Sequence, residues 1–327
     1  MNNITIGQYI PGDSWMHRLD PRIKLFSMIV LLVAIFIIPI SSDPVPILSM
    51  LGLFFGIGLL TLSTRVPLKK VLNGLRPIVF LLTFTFFIQI FYVRTGTLVV
   101  DPIEMYLSLT SVLAIIALIV FYNWSKKYVP LRVIYFFSTA VAIFALQALL
   151  PYVPFTSYTL RIYDQGLLRA GFIFVRIINV IVLTSLLTFT TMTTDLNYGV
   201  ESLLRPFKRI GLPVDVIAMM LSLTLRYIPT LLGETEKIMK AQASRGVDFK
   251  ESKLKEKIVQ VISLLIPVFV ISFKRAEDLG NAMEVRGYVI GRPRTRIDAY
   301  HIGISDYVVL VLSFVVLATI IAIKGLL

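Results

Sequence analysis

The sequence predicts an all-α integral membrane protein with about seven transmembrane helices and a separate region of amphipathic helices. Composition carries the first part of this prediction. Apolar residues make up 57% of the 327, mean hydropathy is +0.83, and only 16% of the residues are charged. Soluble domains carry about 25% charged residues, so this composition requires a bilayer.

Seven apolar segments approach or reach the length of about 20 residues that a helix needs to cross a bilayer. They lie at 23–40, 45–63, 77–93, 104–122, 131–150, 166–191 and 307–323. This pattern divides the chain into a membrane domain at 1–191 with six spans, a polar region at 192–306, and a last span within 307–327.

The distribution of cations predicts the orientation of these spans. With a cytoplasmic N-terminus, the inside segments hold three, four, three and seventeen Lys or Arg residues, which is 27 of the 32 in the chain. Cytoplasmic loops carry such an excess, so we expect residues 192–306 to be cytoplasmic as well. The net charge of +13 is then explained by topology and by contact with the lipid bilayer, and it indicates no nucleic-acid partner.

Residues 192–306 contain two long amphipathic patterns. The first has an apolar face at Ile217, Leu221, Leu225, Ile228 and Leu232, and the second at Ile262, Ile266, Phe269, Phe273 and Met283. Recurrence at three, four or seven residues is typical of helices that bury one face. Pro229 is expected to kink or split the first helix.

The segment 258–272 lies within the second pattern and resembles a further span. It is shorter than a span and carries Gln260, Ser263 and Pro267. We therefore predict a cytoplasmic or interfacial helix, with partial insertion left open.

Each amphipathic pattern ends in a similar tripeptide, Ser244-Arg245-Gly246 in the first and Val285-Arg286-Gly287 in the second. Glycine after the last periodic residue is typical of a left-handed helix end, and arginine in the last turn complements the helix dipole. A single Arg-Gly pair needs no further explanation. Two of them in one polar region indicate two cationic tips that engage two sites on a two-fold partner.

Two further positions near or within spans carry polar residues. Asp20 followed by Pro21 predicts the N-cap and first residue of the first span. Arg176 lies inside the sixth apolar segment, where it either marks a functional site or snorkels or pairs within the bundle.

Missing motifs exclude several classes of function. The chain has no cysteine and two histidines, which excludes disulfides, Cys-based metal sites and His-rich sites. It also lacks a P-loop, an HExxH pair and a GxSxG elbow, so it has no means of its own to hold ATP in a phosphate loop. We expect no cofactor and no catalytic residue, with energy supplied by a partner.

Three separated stretches resemble one known family. They are the opening Gly7-Gln8-Tyr9-Ile10-Pro11-Gly12-Asp13-Ser14 with His17 to Leu25, the stretch from Arg226 to Phe249, and Ala282 to Tyr288. Together they look like the transmembrane component of energy-coupling factor (ECF) transporters, EcfT. The similarity covers roughly the first 95 residues and everything after about 160. Residues 97–160 look like an insertion with two extra spans relative to the family's usual five.

The resemblance implies a non-catalytic subunit of an ATP-driven vitamin or micronutrient importer in a bacterial cell membrane. Two ABC-type ATPase subunits, EcfA and EcfA′, would receive the tips formed by Ser244, Arg245, Gly246, Val285, Arg286 and Gly287. Ser244 and Val285 stand where the family has a small residue. A separate substrate-binding S component, exchangeable between several, would rest on the two apolar faces. These comprise Ile217, Leu221, Leu225, Ile228, Leu232, Ile262, Ile266, Phe269, Phe273 and Met283.

One alternative from another class remains. The seven spans would enclose their own solute pathway in a stand-alone permease, with the basic helices as a cytoplasmic gate. Two similar arginine-tipped helices have no role in such a permease.

Overall fold

Helices dominate the computed structural model, which describes residues 9–127, 129, 132–149, 154–247, 254–290, 292, 300 and 302–326. The helices are α1 Trp15–Arg18, α2 Pro21–Ile37, α3 Pro44–Ser63, α4 Leu68–Tyr92, α5 Leu109–Ser125, α6 Arg132–Leu149, α7 Asp164–Thr190, α8 Thr193–Leu204, α9 Val214–Ser244, α10 Leu254–Val285 and α11 Ile304–Leu326. A 3-10 helix at Arg205–Ile210 joins α8 to α9, and two strands, β1 Ile103–Ser108 and β2 Pro154–Leu160, form a small sheet. The predicted fold class, an all-α integral membrane protein, is confirmed, with this sheet added.

Among the described residues, five helices are long and apolar enough to cross a membrane, namely α3, α7, α9, α10 and α11. Helix α4 is a sixth if its two arms, bent by 57° at Pro77, form one span. A proline inside a helix removes one backbone hydrogen bond and bends the helix. The predicted spans at 104–122 and 131–150 correspond to α5 and α6, which are shorter apolar helices.

The length argument against a span at 258–272 was wrong. The segment 258–272 is part of the continuous 32-residue α10, so its length does not exclude a span. Of the two outcomes expected at Pro229, a kink or a split, the split does not occur, because α9 runs through this residue for 31 residues. Prolines are tolerated inside long helices when neighbouring groups satisfy the freed carbonyl.

By its contacts the chain divides into two compact units. Unit 1 comprises Met1–Ser27 and Leu187–Val311, and unit 2 comprises Met28–Leu186 and Leu312–Leu327. The core of unit 2 is apolar and is built from α2, α3, α7 and α11. Its buried members are Ala34, Ile35, Ile38, Met50, Ile57, Phe172, Leu183 and Ile320.

An aromatic column in unit 2 joins α4 to α6. Phe87 stacks on Phe137 with ring centroids 5.1 Å apart, and Phe91 stacks on Phe144 at 5.5 Å. Phe80 contacts the ring of Phe137 as well. Stacked aromatic pairs contribute beyond their buried area, so this column fixes α6 against α4.

Strands β1 and β2 pair antiparallel, with Ile103 opposite Leu160 and Leu107 opposite Thr156. The predicted span at 104–122 was therefore wrong at its start, because its first residues form a strand. Ser108 ends the strand and caps α5, since its hydroxyl accepts from the Ser111 amide at 3.1 Å while the Ser111 hydroxyl accepts from the Ser108 amide. This reciprocal capping box begins the helix five residues later than hydropathy suggested.

Arg176 of α7 also lies in unit 2, and the structure answers the question that the sequence left open. Its guanidinium donates to the carbonyl oxygen of Ile38 at 2.6 Å. Ile38 directly follows the last residue of α2, where helix carbonyls lack partners within the helix. Arg176 thus caps the end of α2 from a neighbouring helix.

A buried polar network in unit 1 surrounds the start of α2. As predicted, Asp20 caps this helix, because its carboxylate accepts from the amide of Arg22 at 2.9 Å. The amide of Asp20 donates to the carboxylate of Asp306 at 2.8 Å, and the other oxygen of Asp306 accepts from the Gly303 amide. Asp306 therefore closes the first turn of α11 and ties it to the start of α2.

Lys24 completes this network and is 4% exposed. Its ammonium group donates to the carbonyl oxygens of His17 and Thr190, at 3.3 and 3.2 Å, and lies 3.5 Å from the hydroxyl oxygen of Thr191. Nearby, Gly199 of α8 approaches the carbonyl of Pro21 so closely that an added Cβ would lie 3.1 Å from it. These contacts hold α8 against the start of α2, and α8 in turn packs on α9.

Candidate functional site

The first arginine tip ends α9 in a Schellman motif. Gly246 has a φ of +87°, a conformation that favours glycine. Its amide donates to the backbone carbonyl oxygen of Ala243 at 3.0 Å, and the amide of Val247 donates to the backbone carbonyl oxygen of Gln242 at 3.2 Å. These two bonds satisfy carbonyls that the helix end leaves without partners.

The second tip repeats this arrangement at the end of α10. Gly287 has a φ of +69°. Its amide donates to the backbone carbonyl oxygen of Glu284 at 2.9 Å. The amide of Tyr288 donates to the backbone carbonyl oxygen of Met283, also at 2.9 Å. Arg245 and Arg286 therefore occupy the same position in two matching helix ends, and both are exposed together with Ser244 and Val285. No ion pair ties either arginine to another side chain within the described part of the chain.

Replacing Gly246 or Gly287 with alanine is expected to destabilise its helix end by about 1 kcal/mol, because a Cβ strains the left-handed conformation. Thermal unfolding of the purified chain in detergent measures the change. Gly280→Ala is the matched control, since Gly280 lies inside α10 with open space at its Cβ position. There alanine is expected to stabilise by about 0.5 kcal/mol. If Gly287→Ala and Gly280→Ala changed the unfolding temperature equally, the capping role of Gly287 would be contradicted.

Polarity in α10 is divided along the helix as well as around it. In its first half, most apolar side chains are at least 49% exposed, among them Ile258, Val261, Leu265, Phe269 and Phe273, whereas Leu264, Val268 and Ile271 are half-buried. From Lys274 onward, charged residues dominate up to Arg286. The periodicity predicts one apolar face, but the first half of α10 is apolar around its whole circumference. A helix of this kind is normally buried in a protein core or in a membrane.

Helix α9 has a similar division, with an apolar first part up to Leu232 and a polar part from Gly233 to Arg245. Of the ten residues predicted as a platform, eight are exposed: Ile217, Leu221, Ile228, Leu232, Ile262, Ile266, Phe269 and Phe273. Leu225 and Met283 are half-buried. The two helices thus present a large uncovered apolar surface, and patches of this kind mark interaction sites or contact with lipid.

An ion pair that the sequence analysis missed joins the two helices. Arg275 of α10 donates to the carboxylate of Glu234 on α9 at 3.0 Å, with both side chains partly buried. Arg245 lies eleven residues after Glu234, and Arg286 lies eleven residues after Arg275. At 1.5 Å per residue, each tip extends about 16 Å beyond this contact. The spacing of the two arginines was visible in the sequence, but the contact itself was not.

Reversing one member of this pair, as in Glu234→Arg, is expected to move the tips apart, because two cations would then face each other. The double exchange Glu234→Arg with Arg275→Glu is expected to restore the distance between the tips. In a double-mutant cycle the two residues should show an interaction free energy of about 1 kcal/mol. Spin labels at Ser244 and Val285 measure the separation of the tips.

An exchange of the exposed pair Lys208 and Asp215, which lies 2.5 Å apart and does not join α9 to α10, is the control. It is expected to leave the distance between the tips unchanged. A single Glu234 reversal with the same effect as this control would show that the pair does not position the tips.

A cavity of about 210 Å³ lies between α3 and α7 within unit 2. Its lining is apolar and consists of Ile47, Met50, Leu51, Leu167, Leu168, Gly171, Phe172 and Val175. Sites for polar solutes need a few placed polar groups to orient them, and this lining offers no polar side chain. Within the described residues no group of three or more His, Cys, Asp or Glu side chains could hold a metal ion.

Comparison with known proteins agrees with these features. Residues 69–297 match the family model CbiQ, described as a cobalt transport protein. The chain is 36% identical over 296 residues to the energy-coupling factor transporter transmembrane protein EcfT of Bacillus subtilis, covering 90% of this chain and 89% of that protein. It is 35% identical to the protein of the same name from Listeria innocua, with the same coverage.

A third relative with the same name, from Bacillus selenitireducens, is 35% identical over 321 residues, which cover 98% of this chain and 97% of the relative. The match therefore includes both arginine tips, the apolar helices before them and the membrane helices at both ends of the chain. At this identity and coverage, the chain belongs to the EcfT family of energy-coupling factor transporter transmembrane proteins.

Proposed function

We propose that this chain is the non-catalytic scaffold of an ECF-type importer for vitamins or other micronutrients. It couples ATP hydrolysis by two partner ATPase subunits to a separate membrane subunit that binds the substrate. The observation that carries the proposal is the pair α9 and α10, whose apolar first parts are uncovered and whose polar ends project equally far beyond one ion pair.

In this proposal the arginine tips dock into the ATPases. A guanidinium group is always charged and offers a rigid fork that binds carboxylates through two hydrogen bonds. Arg245 and Arg286 are exposed, and the left-handed glycine that follows each one fixes the helix end. Each tip is therefore a rigid cation at the end of a lever of about 16 Å.

The apolar surface of α9 and α10 holds the substrate-binding subunit in the same proposal. Phe269 and Phe273 contact each other at 5.5 Å between ring centroids, and both are more than 60% exposed. Exposed aromatic side chains at the centre of an apolar surface are typical anchors of protein interfaces. This surface lies on the opposite side of the Glu234–Arg275 ion pair from the tips, along both helices.

Orientation follows from the same assignment. The ATPases are cytoplasmic because they consume cytoplasmic ATP, so both tips and the N-terminus face the cytoplasm. The excess of cations in the inside segments supports this orientation.

Gentle affinity purification of the tagged chain from its native membranes tests the proposal. We expect two ABC-type ATPases and at least one small membrane protein that binds a substrate to be co-isolated. Purified chain that transports solute alone in liposomes, with no ATPase recovered from membranes, would instead support a stand-alone permease and overturn the proposal.

A further inference from the structure

The Glu234–Arg275 contact places the two tips in a common register. From here on, the α9 tip means residues 235–245, which follow Glu234, and the α10 tip means residues 276–286, which follow Arg275. Each position in one tip therefore has a counterpart in the other tip that lies equally far from the contact. Glu236 corresponds to Glu277 and Arg245 to Arg286. The two tips thus share an acid near the contact and an arginine at the end.

Between these shared residues the charges differ at three positions. Lys237 corresponds to Asp278, Lys240 to Asn281, and Ala243 to Glu284. The α9 tip has three cations and one anion, a net charge of +2, whereas the α10 tip has one cation and three anions, a net charge of −2.

These charges are available to a partner because all of the charged side chains concerned are exposed. Lys240 forms an ion pair with Glu236 at 3.3 Å, and Lys237 forms one with Glu234 at 3.8 Å. Both pairs lie along α9 and leave the ammonium groups exposed. In the α10 tip, Glu284 lies only two residues before Arg286. A groove that is acidic throughout would attract the α9 tip and repel the carboxylates of the α10 tip.

We propose that the two tips are separate docking surfaces for grooves of opposite charge. The α9 tip fits an acidic groove. The α10 tip fits a groove with a basic rim and one acidic pocket for Arg286. This inference rests on the proposed function and adds that the tips are not interchangeable, so that charge decides which ATPase receives which tip.

The test converts one tip into a copy of the other. The triple variant Lys237→Asp, Lys240→Asn and Ala243→Glu gives the α9 tip the charges of the α10 tip, and the reciprocal variant is Asp278→Lys, Asn281→Lys and Glu284→Ala. Each tagged full-length chain is isolated from native membranes, and each ATPase is quantified per mole of chain. We expect each variant to lose one ATPase by at least tenfold, a different one in each case, while the other ATPase is retained.

The control is Lys69→Asp with Lys70→Asp, which changes two exposed residues at the start of α4 by the same total charge. It is expected to retain both ATPases. Variants that keep both ATPases in the original ratio, as they would if the α9 tip contacted anionic lipid instead, or that lose both equally, would overturn the inference. If the unaltered chain recovers no ATPase, the proposed function itself fails.

Discussion

Replacing both Arg245 and Arg286 with glutamate is expected to release the ATPase pair and abolish uptake. The two substitutions change the charge at the ends of the levers by four units, in positions that the helix caps hold fixed. Truncating one partner of a buried charged contact costs about 2–5 kcal/mol, and reversal adds repulsion. Two such losses total about 4–10 kcal/mol, which is comparable with the roughly 8 kcal/mol of a contact with a Kd of about 1 μM.

Recovery of the ATPases per mole of purified chain measures this effect, with uptake by whole cells as a second readout. Arg245→Lys and Arg286→Lys keep the charge but lose the planar fork, so we expect them to weaken the complex without abolishing it. Lys126→Glu with Lys127→Glu, two exposed residues after α5, is the control of equal charge. A full complex that survives the double arginine reversal would exclude the docking role.

The second large effect is expected at Lys24, where Lys24→Met should lower the free energy of unfolding by about 3 kcal/mol. Methionine fills similar space but donates no hydrogen bond, so the carbonyls of His17 and Thr190 lose their ammonium donor. Burial of the charged ammonium is the largest influence on it and opposes its charge, so its removal offsets part of this loss, while the carboxylates of Asp195, Asp306 and Asp20 lose a cation that attracts them. Buried carbonyls that lose a charged donor are left unsatisfied, which costs free energy.

Thermal or denaturant unfolding of the chain in detergent measures this loss. Lys69→Met, at an exposed position on α4, is expected to change stability by less than about 0.5 kcal/mol. An unfolding transition for Lys24→Met equal to that of Lys69→Met would show that the network does not hold the starts of α2 and α11 together.

These predictions separate two properties of the coupling region. The tips determine whether partners bind, because their charges are exposed. The buried network determines whether α8, and through it α9, stays attached to the start of α2 within unit 1. Substitutions of Arg245 and Arg286 should leave unfolding unchanged, whereas Lys24→Met should affect stability and uptake together.

Local features were predictable from the sequence. Asp20 and Pro21 begin α2 as expected, and Gly246 and Gly287 end α9 and α10 in left-handed conformations. The membrane class followed from composition, and the family resemblance is confirmed. Helix caps depend on residues within about six positions of each other, so the pattern of the chain contains the information that they require.

Errors in the sequence analysis arose where one segment satisfied two patterns. The start of the span at 104–122 is apolar enough for a membrane helix, but residues 103–108 pair with β2, which follows only after α5 and α6. The segment 258–272 is too short for a span when taken alone, but it continues into the polar half of α10. Hydropathy over a short window does not record where a helix begins or which strand a segment meets.

The sequence by itself determined the class of the protein, the start of α2, the ends of α9 and α10 and the two matched arginine tips. Only the tertiary structure decided that Arg275 meets Glu234, that Lys24 reaches Thr190, and that Arg176 caps the end of α2. The physical reason is distance along the chain. A cap is formed by neighbours in sequence, whereas these contacts join residues 41, 166 and 138 positions apart and exist only because packing brings their helices together.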